Sequence, residues 1–257
     1  QGVGEIFCLP KTAWPPTWEK GKERKTAMKQ AVTMNDAGEK NFYYKEAIKI
    51  LRTNIQFTGK EIKTILFTSC YPNEGKTDIV FQLAVEMGKA GRKTIIVDAD
   101  IRKSGFIKRY KTGREVPGLS EYLSGQAEKA EIICSTGYDN ADIILAGPIA
   151  PNPSELLGQG IFDTLIRELR EEYDYVLLDT PPVGSVIDAV IAARSCDGAV
   201  LVIESGLVSH KAALKTLRQL EKSGCSILGT VLNKADIGRD RYYFSYYKKY
   251  GDYYKND

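Results

Sequence analysis

A chain of 257 residues, 43% hydrophobic and 27% charged, carries enough apolar material for one large packed domain and is neither disordered nor fibrous in composition. Its 36 basic and 33 acidic residues leave a net charge of +3, too balanced to indicate a nucleic-acid partner. Five scattered cysteines (Cys8, Cys70, Cys134, Cys196, Cys225) form no C-x-x-C pair and fit reduced thiols in a cytosol, and no apolar run reaches the roughly 18–20 residues of a membrane-spanning helix.

In chain order, residues 1–40 read as a poorly ordered arm. Trp14-Pro15-Pro16 is followed by the basic run EKGKERK, and Met28 is a candidate initiator behind an appended extension. Residues 41–238 read as the folded domain. KTILFTS is predicted to be a strand, TDIVFQLAVEMGKA a helix stopped by Gly91, and KTIIVDAD a second strand ending in acids. ADIILAG, YDYVLLDT, DGAVLVIES and CSILGTVLN are further strands, separated by helices near 154–172, 185–195 and 209–223. Near-continuous apolar strands alternating with amphipathic helices predict an α/β fold, a mostly parallel sheet with helices on both faces. Ligands of such a sheet bind beyond the carboxyl ends of its strands, so the residues just after each strand carry the information.

Three strand ends do so. After the first comes SCYPNEGKTD, a phosphate loop G-x-x-x-x-G-K-[ST] in which Cys70 replaces the first glycine. Gly75 lets backbone approach a phosphate, Lys76 supplies a point charge and the Thr77 hydroxyl can ligate magnesium, although a lone G-K-T also occurs in ordinary turns. The second strand ends in VDADIR. Asp98 and Asp100 at its tip repel each other unless a cation intervenes, the competing reading being a helix cap with a surface ion pair. Arg102 beside them either steers phosphate or forms a structural ion pair. A later strand ends in YVLLDTPP, where Pro181 and Pro182 stop the strand and leave Asp179 as a second acidic motif. Asn233 in VLNK follows the last strand and fits either an adenine contact or a turn. The lone histidine, His210, falls at a helix start, and Cys70 fits a small buried filler better than a redox-sensitive thiol.

These motifs, with EAIKILRTNIQF before the first strand, GLSEYLSGQ, LAGPIAPNPSELL, VLNK and a C-terminal cluster of tyrosines, resemble the bacterial tyrosine kinases of polysaccharide co-polymerase systems from about Tyr43 to Asp257. The family is similar in fold to the Min- and Par-type P-loop NTPases. The resemblance implies an ATP- and Mg²⁺-dependent protein-tyrosine kinase. Lys76 would bind the β- and γ-phosphates, Thr77 and Asp179 the magnesium, Asp100 its surroundings, and Asp98 would accept the tyrosine proton. Pro72, Asn73, Glu74, Gly75 and Asp78 would line the nucleotide with Lys76, Thr77, Arg102 and Asn233. Glu46, Lys49 and Arg52 stand where the family has its ring-forming E-x-x-R-x-x-R motif, at helical spacing. Implied partners are further copies of the chain, the cytoplasmic tail of a membrane-bound activator and a tyrosine phosphatase, at the inner face of a bacterial membrane where capsule or exopolysaccharide is made.

Three residues depart from the family pattern. Asn73 replaces a glycine, Asp78 replaces a small hydroxylated residue and puts negative charge near incoming phosphates, and Lys49 replaces an arginine and loses its bidentate fork. Residues 239–257 read as a flexible tail holding Tyr242, Tyr243, Tyr246, Tyr247, Tyr250, Tyr253 and Tyr254 as phosphoacceptors. A phenol with a pKa near 10 needs a base to take its proton, and each added phosphate brings about −1.5 to −2 charges, enough to reverse the tail's slight positive charge. The expectation is phosphorylation in trans by a neighbour, followed by loosening of the ring. The competing functions are a nucleotide-switch ATPase, disfavoured by the lack of a second loop lysine before Lys76, and an inactive nucleotide-binding scaffold of the same complex.

Overall fold

The computed structural model describes residues 30–32, 34, 42–110 and 116–235. Most of the arm expected at 1–40 and the whole tail at 239–257, with all seven candidate acceptor tyrosines, lie outside the described residues; within the arm, Gln30 and Ala31 pair with Cys134 and Ser135 of the sheet, and Val32 and Met34 are buried. In chain order the elements are β1 (Gln30–Ala31), α1 (Phe42–Phe57), β2 (Thr64–Ser69), α2 (Lys76–Lys89), β3 (Thr94–Asp98), α3 (Gly105–Tyr110), α4 (Leu119–Leu123), α5 (Lys129–Ile132), β4 (Ile133–Ser135), β5 (Ala141–Ile144), α6 (Pro153–Leu157), α7 (Gly160–Glu172), β6 (Tyr175–Asp179), α8 (Asp188–Ala193), β7 (Gly198–Glu204), α9 (His210–Glu221) and β8 (Ser226–Asn233).

The strands form one sheet in the order β1-β4-β5-β3-β6-β2-β7-β8. Every neighbouring pair is parallel except β4 with β5, which run antiparallel. Strand period two sorts the side chains cleanly. Leu66, Ile95, Val97, Val176 and Leu178 join the core beneath α4 and α6–α9, while Ile65, Phe67, Ile96 and Leu177 join the core beneath α1–α3. Helices therefore cover both faces, which is why β2 and β3 are buried at every position, their polar ends included.

Two differences from the sequence reading are local. The helix expected over 154–172 is two helices, α6 and α7, because Gln159 is extended between them (φ −81°, ψ 149°) and caps α7. β8, which reads like a buried strand, is half-exposed, because it lies at the sheet edge with β7 as its sole partner among the described residues.

β6 is the element that makes the site. It inserts between β3 and β2, in register with both: Asp179 lies opposite Asp98 on one side and Phe67 on the other. The helix after β2 (α2) packs on one face and the helix after β6 (α8) on the opposite face. Neighbouring strands whose connections leave in opposite directions open a crevice at their carboxyl ends, and the phosphate loop borders that crevice.

Candidate functional site

The loop from Ser69 to Gly75 is held by its own sequence. Asn73 is left-handed (φ 67°), as is Gly75 at the N-cap of α2 (φ 90°). Asparagine tolerates that region better than most residues, so the departure at 73 keeps the loop path. Gly75 is required twice over, since a Cβ there would lie 2.2 Å from Asn233 Nδ2. Glu74 is buried. Its carboxylate accepts from the amides of Cys70 (2.7 Å) and Tyr71 (2.9 Å), so it braces the loop and leaves backbone groups to face a ligand.

Lys76 and Thr77 open α2 and reach Asp179. Thr77 Oγ1 donates to Asp179 Oδ2 at 2.6 Å, and Lys76 Nζ lies 3.5 Å from Oδ1. That longer contact is an ion pair without hydrogen-bond geometry, so Asp179 Oδ1, which is fully buried, has no hydrogen-bond partner among the described residues. Asp98 has the same strand parity as Ile96, and Asp179 the same as Leu177, so both acids point to the face that bears α2. Asp98 is also fully buried; it accepts from Ser104 Oγ at 2.5 Å and from the Asp100 amide at 3.3 Å. Asp100 follows at the rim, accepting from the Lys103 amide at 3.0 Å.

Burial pushes the Asp98 carboxyl well above its ordinary value, and the neighbouring charge of Asp179 adds to the rise against the Ser104 hydrogen bond. Burial likewise raises Asp179 against the opposing pull of Lys76 and Thr77, and raises Asp100 against Lys76. Three acids held uphill around one lysine and one hydroxyl lack positive charge. A divalent cation fits that need: hard, oxygen-seeking, and met by an orphaned carboxylate oxygen beside a hydroxyl. Among the described residues no three His, Cys, Asp or Glu side chains converge closely enough to hold a metal by themselves, so water or ligand oxygens would complete the shell.

The remaining expected residues divide. Asn233 Nδ2 donates to the Glu74 carbonyl at 2.8 Å, and its neighbour Lys234 bridges the Asn73 carbonyl (2.9 Å) and Glu204 (2.7 Å). The end of β8 thus ties down the phosphate loop. Arg102 forks onto Asp188 through Nε at 2.5 Å and through a second nitrogen at 3.0 Å, with Ser154 joining, which is the structural ion pair of the two readings offered. Asp78 turns away from the loop: the hydroxyls of Tyr110 (3.0 Å) and Tyr44 (3.4 Å) donate to its carboxylate, so its charge is spent against α3 and α1.

On α1 the three residues expected at a subunit contact make contacts within this chain. Lys49 pairs with Glu46 at 2.6 Å, while Arg52 reaches the Glu86 carbonyl at 3.5 Å, at the far end of α2. Cys70 is buried, and burial raises its thiol pKa, as suits a filler. His210 is exposed as the first residue of α9, after the Ser209 cap. Sequence reading passed over Ser104, Glu204, Tyr44 and Tyr110, since nothing local ties them to a site; Lys234 stands beside a residue already singled out and was the easiest to find.

A family model described as an AAA domain matches residues 62–227. The chain is 39% identical over 212 residues to a tyrosine-protein kinase CpsD of Streptococcus agalactiae, covering 82% of this chain and 90% of that protein. Its structure is similar to the kinase domain of the Escherichia coli tyrosine kinase Etk, with a TM-score of 0.70, 32% identity, and 75% and 77% of the two chains covered. It is also similar to the septum site-determining protein MinD of Pyrococcus horikoshii complexed with Mg-ADP, with a TM-score of 0.59, 25% identity, and 68% and 72% covered.

Proposed function

The chain belongs to the bacterial tyrosine-protein kinases, and from that premise we propose that it transfers the γ-phosphoryl group of ATP to tyrosines in the C-terminal tail of a neighbouring copy, within a capsule- or exopolysaccharide-synthesising complex. The observation that carries this reading is the orphaned, fully buried Asp179 Oδ1 between Lys76 and Asp98 at the mouth of the phosphate loop.

Phosphoryl transfer depends on positioning and charge stabilisation more than on covalent chemistry by the protein. The loop amides and Lys76 hold the β- and γ-phosphates. Thr77 and Asp179 would hold magnesium, which when bound would offset charge on the transferring phosphoryl group. The acceptor phenol oxygen bonds to the γ-phosphorus as the bond to the β–γ bridging oxygen breaks and ADP leaves. Asp98 takes the phenol proton. Its raised pKa suits it to hold a proton in a buried site, and magnesium and Lys76 favour the ionised form needed at the start. Asp100 supports the cation, and Ser104 fixes Asp98.

Glu46, Lys49 and Arg52 are proposed to meet the next subunit of a ring. Seven tyrosines in sixteen residues supply the acceptors. A membrane-bound activator with a cytoplasmic segment would place the enzyme at the inner membrane face, and a tyrosine phosphatase would reset it. No helix among the described residues is long and apolar enough to cross a membrane.

The test incubates the protein with magnesium-ATP, with and without an activator segment, and maps phosphotyrosine by mass spectrometry beside Lys76→Met. Phosphate on 242–254 is expected, reduced about 10³-fold in the variant. A per-molecule rate unchanged by dilution sinks transfer in trans. Nucleotide binding without phosphotyrosine under every condition replaces the kinase with a switch ATPase or scaffold.

A further inference from the structure

α9 carries a feature that the transfer chemistry does not use. It buries Ala213, Thr216 and Leu220 and turns Lys211, Lys215, Arg218 and Lys222 to solvent. Spacings of four, three and four residues place these four cations on one side of a helix with 3.6 residues per turn. Like charges so spaced repel, and among the described residues none of the four holds a carboxylate. Elsewhere Lys129, Arg170 and Lys234 each do. Together with His210 and Leu214 the four line a depression of about 610 Å³, and among the described residues no acidic side chain lines it.

The topology sets this face beside the root of the tail. α9 links β7 to β8, so it runs back across the sheet, and its first residue lies at the edge where both strands end. The Ser205 amide donates to the Asn233 carbonyl at 2.9 Å, which joins those two ends directly. Ala235, two residues past Asn233, therefore stands at the His210 end of the cationic stripe. Six residues separate Ala235 from Tyr242, seven steps with a reach of up to about 25 Å, and α9 is about 18 Å long. The tyrosine cluster can lie along it.

Charge decides when it would do so. Beyond Ala235, Arg239, Arg241, Lys248, Lys249 and Lys255 stand against Asp236, Asp240, Asp252 and Asp257, a net charge of +1 that the stripe does not attract. Two phosphates at about −1.5 to −2 each reverse that sign and bring oxygens that lysine and arginine bind through charge-assisted hydrogen bonds.

We infer that the basic face of α9 is a docking site for the phosphotyrosine tail of this chain, its own or a neighbour's, filled after phosphorylation and not before. The inference rests on the reading that the tail becomes phosphorylated. Docked on α9, a modified tail is held away from the phosphate loop, so product no longer competes with fresh acceptor.

The test titrates labelled peptides of sequence 239–257, synthesised with phosphotyrosine at 242, 246 and 250 or without phosphate, with the full Lys76→Met chain, reading fluorescence anisotropy. The phosphopeptide is expected to bind roughly tenfold tighter or more, an advantage that falls with salt. Lys215→Glu with Arg218→Glu should abolish the preference while thermal melting and nucleotide affinity stay unchanged, and Lys211→Ala should weaken it part-way. Equal affinity for the two peptides overturns the proposal, as does a preference that survives in the double variant. Equally tight binding of a polyglutamate peptide of matched charge, or binding of phosphatidylserine vesicles through the same residues without phosphopeptide binding, also overturns it. Because the phosphopeptide is synthetic, failure of the kinase reading would leave this measured affinity untouched.

Discussion

Asp98 and Asp179 at one edge of the sheet and Asp197 at the other are the same residue type in opposite circumstances. The first two are fully buried at strand carboxyl ends, crowd each other across neighbouring strands, and have their carboxyls pushed up by burial. Asp197, at the amino-terminal edge just before β7, is also opposed by burial. There the amides of Thr64 (2.8 Å) and Lys63 (2.9 Å), the Thr64 hydroxyl and Arg170 (3.2 Å) outweigh it and hold the carboxyl below its ordinary value. One edge closes its hydrogen bonds and locks β2, β7 and α7 together. The other leaves a carboxylate oxygen open and draws in positive charge. Stability and function are thus separated along the length of the strands.

The widest test of that separation is Asp98→Asn. Loss of the proposed base should cut tyrosine phosphorylation by about 10²–10⁴-fold. The same change should stabilise nucleotide-free protein by about 1–2 kcal/mol, a rise in Tm of roughly 2–8 °C, because a buried carboxyl without a counter-ion is replaced by a neutral amide. Calorimetry showing a lower Tm would mean that the acid edge is already compensated. Next in size, Asp197→Ala removes the acceptor of four donors and should destabilise the fold by about 1–3 kcal/mol, with kcat of the folded enzyme unchanged. A fall in kcat without a fall in Tm would erase the contrast.

The smallest effect is a difference in slope. Asp98 and Asp179 bind protons more tightly folded than unfolded, so their contribution is full in acid and declines as pH rises from about 3.9 through their raised folded values. Asp197 has the opposite sign: its contribution is present above about 3.9 and is lost as pH falls through its depressed folded value. Denaturation of Asp98→Asn and Asp197→Asn against pH should therefore differ from the parent on opposite sides of that value, and magnesium-ATP should flatten the Asp98 component alone. Parallel curves would show that the two edges share one environment.

Much of this was legible along the chain. Apolar runs interrupted by amphipathic helices determined the α/β class, Gly75-Lys76-Thr77 the phosphate loop, and Asp98 and Asp179 their places at strand tips, because periodicity and turn chemistry act over a few residues. The rest depends on who neighbours whom. No local pattern says that β6 inserts between β3 and β2, and that insertion alone brings Asp179 to Asp98, Lys76 and Thr77. Tertiary contacts turned Asp78 toward Tyr44 and Tyr110, committed Arg102 to Asp188, and set Asn233 and Lys234 against the loop they brace. Local pattern along the chain settled which groups stand at the ends of strands; the order of those strands, set by packing between residues distant in the chain, decided which groups meet and hence where carboxylates crowd together.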